Sequence, residues 1–214
     1  MKQVFAFFAL AAAFTLLSGC AGTPKSESAD VLSGGSKAGK EMASITRDIR
    51  PLDAEGWTLV VYYSKGSATK RVAEDLAAIF EADIEVITEA KERTMGLFGF
   101  MGAGYQATFG VASPIAAPAA DPSKYDRVIV LTPVWSWNLS PPVRSWLRLM
   151  KGKLPRAAFV TVSGDTKPDK IVAAMEKESG AVPLVFEGFG DKDFLPENRA
   201  AYLAKIGNIV DKMK

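Results

Sequence analysis

The chain has 214 residues, 48% of them hydrophobic, and a formal net charge of +2, so it can build a full core and carries no strong field for recruiting nucleic acid. It has no histidine and one cysteine. That excludes Ser-His-Asp and Cys-His catalysis, histidine-ligated zinc, internal disulfides and CxxC redox pairs, so any chemistry belongs to a bound cofactor.

Lys2 followed by the apolar run Val4 to Leu17 has the build of an export signal, and the run is shorter than the roughly 20 residues a bilayer span needs. Leu17-Ser18-Gly19-Cys20 resembles the lipobox of bacterial lipoproteins. That resemblance implies a signal peptide over 1–19, cleavage before Cys20, and lipidation of Cys20 as the anchor to a membrane. The expected location is the bacterial cell envelope, on the periplasmic side. Ala21 stands where inner-membrane retention uses Asp, which favours the outer membrane in a Gram-negative cell. Residues 20–55 are rich in Gly, Ser and charge and read as a flexible tether reaching about 30 Å.

The domain expected over 56–214 alternates strands and helices. WTLVVYY (57–63) is a near-continuous apolar run, as in a strand buried on both faces. The next segment sets Val72, Ala73, Leu76, Ile79 and Phe80 on one helical stripe. DIEVIT (83–88) alternates, with Ile84, Val86 and Thr88 on one side. The stretch 91–110 is glycine-rich and apolar, an insert read as a cover over the sheet, a lid or a greasy contact surface. RVIVLT (127–132) is a third strand. Ser140-Pro141-Pro142 then opens a helix striped by Val143, Trp146, Leu147 and Met150, with Ser as cap. AAFVTV (157–162) is a fourth strand, followed by a helix carrying Ile171, Val172 and Met175. VPLVFEGF (182–189) is a fifth, with Pro183 marking an edge or a strand start. The last helix presents Tyr202, Leu203, Ile206, Ile209, Val210 and Met213. Strands separated by helices imply α/β architecture with a doubly wound parallel sheet and helices on both faces.

In such a sheet, ligands lie beyond the carboxyl ends of the strands. Three loops leave those ends: Ser64–Thr69, Pro133–Ser140 and Ser163–Lys167. The first offers the hydroxyls of Ser64, Ser67 and Thr69, backbone access at Gly66, and the N-terminus of a helix, which favours an anion. Lys65, Lys70 and Arg71 add charge nearby. It is neither a Walker loop nor a GxGxxG fingerprint. The second loop sets Trp135 and Trp137 just past a buried strand, where an indole either covers the sheet end or stacks on a flat ligand.

YYSKGSATKRVA (62–73), YDRVIVLTPVWSWNLSPPVRSWL (125–147) and FVTVSGDTKPDK (159–170) together resemble a flavodoxin-like domain over 57–214. The resemblance implies a five-stranded parallel sheet in the order 2-1-3-4-5 with FMN as cofactor. The FMN phosphate would lie at Ser64, Lys65, Gly66, Ser67, Ala68 and Thr69. The isoalloxazine would be bordered by Pro133, Val134, Trp135, Ser136, Trp137 and Asn138, and by Ser163, Gly164 and Asp165. Trp135 is the first choice for stacking and Trp137 the second. The usual Ser-x-Thr-Gly-Asn-Thr loop keeps only its outer Ser64 and Thr69; its middle has become Gly66-Ser67-Ala68, and Ala68 has no side-chain donor. The third loop has no aromatic ring. There Asp165 either disfavours an anionic reduced flavin or, with Thr166, caps the following helix.

Two functions follow from different classes. One is a membrane-tethered FMN protein that carries electrons, or an FMN-dependent oxidoreductase reducing flavins or quinones, with a redox partner protein or a quinone as partner. The other is a binding or scaffold lipoprotein that keeps the fold and has lost FMN. The absence of a twin-arginine pair implies export of the unfolded chain, so FMN would have to be captured after export.

Overall fold

A computed structural model of the protein describes residues 56–90 and 110–214. The expected signal peptide, Cys20, the tether and all of the 91–110 insert except Gly110 lie outside the described residues. The order is β1 (Thr58–Tyr62), α1 (Ala68–Phe80), β2 (Asp83–Val86), β3 (Arg127–Trp135), β4 (Asn138–Leu139), α2 (Pro141–Leu149), β5 (Arg156–Val162), α3 (Asp169–Ser179), β6 (Val185–Phe189) and α4 (Arg199–Met213). Five strands run parallel in the order β2-β1-β3-β5-β6. Counted over parallel strands alone this is 2-1-3-4-5, the order the flavodoxin-like resemblance implies.

The two-residue β4 departs from that prediction. β3 runs on to Trp135, past the end of its apolar run at Thr132, and folds back antiparallel, pairing Val134 with Leu139 and Trp135 with Asn138. Ser136 and Trp137 form the tip with φ of 48° and 57°. A two-residue hairpin favours positive φ at both central positions, which Asn-Gly supplies without strain and Ser-Trp does not.

The continuous apolar runs are buried on both faces because each face carries a helical layer. Val60, Ile129, Leu131 and Val160 meet α1 and α4. Leu59, Val61, Val128 and Val130 meet α2 and α3, with Trp146 of α2 fully buried among them. Between α1 and α4 the Tyr202 hydroxyl donates to Asp75 Oδ2 at 2.6 Å. Burial pushes the carboxyl of Asp75 up, against the Tyr202 hydrogen bond.

The side of β2 that faces inward is settled by the structure, and one local expectation, the Ser140 cap, is corrected. On β2, Ile84 and Val86 are 46% and 52% exposed, while Glu85 is buried. The register Val61↔Glu85 turns that carboxylate toward α2, where it accepts from the Trp146 indole at 3.1 Å and from Ala120 N at 3.0 Å. A buried indole N–H needs an acceptor, and Glu85 supplies it. Ser140 stands at the N-cap of α2 but its side chain does not cap; it shares a 2.9 Å hydrogen bond with Thr132 Oγ1. Pro183 precedes β6, which is a sheet edge.

Candidate functional site

The carboxyl ends of β1, β3 and β5 open onto a cleft of about 240 Å³. Ser64, Lys65, Gly66, Ala68 and Thr69 line it from the first loop, Pro133 and Trp135 from the second, and Ser163 and Gly164 from the third. Residues from all three predicted loops thus meet in one hollow. Val162 and Asp191 also line it and were not anticipated.

The remaining predicted positions are not part of that lining. Ser67 is exposed at the N-cap of α1, where its carbonyl accepts from Arg71 N at 2.8 Å. Val134 is paired with Leu139 and packs against the α2–α3 layer. Ser136 and Trp137 are exposed at the hairpin tip, Trp137 at 72%. The Asn138 amide donates to Ser136 O at 2.7 Å and braces the turn. Asp165 is exposed on a turn held by Ser163 Oγ, which accepts from Thr166 N at 2.9 Å. Neither Asp165 nor Thr166 caps α3, whose N-cap position is Pro168.

At one end the cleft meets the start of α1. Ser67 makes no side-chain cap, so the first N–H groups of α1 keep the unpaired donors of an open helix end, where the dipole favours an anion. A side chain at Gly66 would meet nothing within 4 Å, which leaves the space before those donors open. The charges around it are largely committed. Ser64 Oγ turns inward, donating to Gly66 O at 2.5 Å. Lys65 lies 3.5 Å from Glu89, and Lys70 3.6 Å from Glu74. The Arg71 guanidinium sits over Tyr202 and Phe194, 5.5 and 6.0 Å from their ring centres.

At the other end Trp135, half-buried, meets Tyr63 edge-on, with ring centres 5.5 Å apart and planes at 76°. At the third loop, Asp191 N donates to Gly164 O at 3.3 Å, and its Oδ2 would lie 3.3 Å from a Cβ at Gly164. The turn carrying Asp191 is fixed by Asp193, which accepts from Gly190 N and from Lys205, each at 2.7 Å. Among the described residues no group of three or more His, Cys, Asp and Glu could hold a metal ion.

No protein-family model matches the chain, and no curated protein matches it in sequence. Solved structures do. A flavoprotein from Lactobacillus acidophilus NCFM, crystallised in complex with FMN, superposes with a TM-score of 0.54 at 21% identity, over 65% of this chain and 96% of its own. A candidate flavoprotein from Bacteroides eggerthii DSM 20697 gives 0.54 at 18% identity, over 72% of this chain and 99% of its own. The fold is flavodoxin-like. At such identities the likeness is one of fold. In this flavodoxin-like frame the cleft lies where strand order reverses between β1 and β3, the place where open α/β sheets receive ligands.

Proposed function

We propose that the protein binds FMN in this cleft and works in electron transfer or in flavin or quinone reduction, tethered to the membrane by a lipid on Cys20. The observation that carries the reading is the pairing, in one hollow, of an uncapped helix N-terminus with a tryptophan wall. The residues fit the two ends of FMN unequally. The α1 N–H groups and Thr69 suit its phosphate, and Gly66 leaves it room. Trp135 suits one side of its ring. When bound, FMN supplies the electron transfer itself. The chain binds and orients it, and Asp191 and Gly164 also line the cleft. FMN chemistry at a mature-domain cleft is compatible with the absence of histidine, because no side chain has to act as acid or base. The tether rests on the lipobox-like Leu17–Cys20 alone.

The test is titration of FMN into the purified full chain. Saturable quenching of tryptophan fluorescence with a bound yellow chromophore is expected, together with at least tenfold weaker binding of riboflavin, which lacks the phosphate. Recovery in the membrane fraction, abolished by Cys20→Ser, tests the tether. A cofactor-free scaffold is the second reading. It is favoured by the pairing of Lys65 and Lys70 with glutamates and by the Asp191 carboxylate on the lining. A chain that takes up neither flavin would establish it over the first.

A further inference from the structure

Among the described residues of the cleft lining the cation is Lys65, and it is not free to act alone. Its ammonium lies 3.5 Å from Glu89 Oε2. The Glu89 side chain is only 8% exposed, against 44% for Lys65. Glu89 is also fixed from two other directions. The Tyr63 hydroxyl donates to the same Oε2 at 2.8 Å, and the backbone at Glu89 bridges Ile115 just past β2, with Ala90 N bonded to Pro114 O at 3.0 Å. Tyr63 in turn meets Trp135 edge-on. One carboxylate therefore joins the anion loop to the aromatic wall.

We propose that Glu89 is a positioning residue that withholds the charge of Lys65 from the phosphate end of the cleft, so that FMN is held as an exchangeable ligand and not as a permanent one. This rests on the FMN reading above. A phosphate arriving at α1 meets a lysine whose field is offset by a carboxylate a few ångströms behind it. The attraction is that of a dipole rather than a full charge, and it falls off faster with distance. Glu89 cannot relieve this by swinging into solvent, because it is buried and hydrogen-bonded to Tyr63. Lys70 does not compensate, being paired with Glu74 one turn along the helix. A chain that must acquire its flavin after export is served by a grip of this kind.

Glu89→Gln keeps the shape and an acceptor for Tyr63 while removing the charge. In the full chain it is expected to tighten FMN by about tenfold at low salt, the effect of unmasking one nearby cation, and to leave riboflavin within about twofold. The gain should shrink as salt rises. It should vanish in a Lys65→Gln background, where the mask has nothing to cover. Equal changes for FMN and riboflavin, or a gain that survives without Lys65, would overturn the proposal, as would no gain at all. If the native chain binds neither flavin, the FMN reading fails separately. Inorganic phosphate then replaces FMN in the same four proteins, read by the shift in thermal unfolding. A larger phosphate shift in Glu89→Gln that needs Lys65 supports the masking; the same shift in all four, or none, refutes it.

Discussion

Alanine in place of Trp135 is expected to weaken FMN binding by about 30-fold or more, while riboflavin binding falls by a similar factor. Among the described residues of the cleft lining the indole is the aromatic one. Covering one ring face removes on the order of 80 Å² of apolar surface, about 2 kcal/mol, and offset stacking adds about 0.5–1.5 kcal/mol. Loss of affinity for both flavins separates this wall from the phosphate end, where a defect spares riboflavin. Trp137 provides the contrast. It is 72% exposed and holds a φ of 57°, so Trp137→Gly gives up little burial and relieves a left-handed backbone. It is expected to raise stability by about 1 kcal/mol and to leave FMN affinity within about twofold. Visible flavin absorbance and urea unfolding read the two effects. If Trp137→Gly lost FMN and Trp135→Ala did not, the hairpin tip and not the cleft wall would carry the ring.

The sequence reading ranks Trp135 ahead of Trp137, but the geometry that separates them was not legible in it. Both follow a buried strand and both can stack. What separates them is a two-residue hairpin whose Ser136-Trp137 tip lacks the Asn-Gly signal by which such turns are read. The layered fold, by contrast, was legible because each of its central strands is a run of apolar residues and each helix carries one stripe. Convergence of the three loops then followed from parallel topology. Alternation on β2 defined two faces but not which one was inward. Glu85 faces the core, where the indole of Trp146, 61 residues away, donates to it. The partners of the loop charges divide in the same way. Lys70 with Glu74 is an i,i+4 pair that spacing alone can propose. Glu89 reaches Lys65 only because β2 lies beside β1, and Asp191 reaches Gly164 only because β6 lies beside β5. The carboxyl ends of the flanking strands were the signal for both.

The second large effect is predicted far from the cleft, where α2 and α3 meet. Glu178 of α3 takes Arg144 Nη1 on Oε1 and Arg148 on both oxygens, Nε at 2.6 Å and Nη2 at 3.0 Å. The side chains of Arg144 and Glu178 are 9% and 11% exposed, whereas Arg148 is 47% exposed. Glu178→Gln leaves a buried guanidinium without its counter-charge and is expected to cost about 2–4 kcal/mol, seen as a lower urea midpoint with an unchanged slope. Arg148→Ala removes the wetter partner and should cost at most about 1 kcal/mol. The pH dependence fixes the cause. The hydrogen bond from Arg148, helped by Arg144 and opposed by burial, holds the Glu178 carboxyl below its ordinary 4.5. Stability from this group is therefore present above pH 4.5 and lost as pH falls through the lower folded value. The gap between native chain and Glu178→Gln should close over that acid window, since a protonated Glu178 is nearly the glutamine. A gap that stayed constant into acid would assign the loss to shape and not to charge.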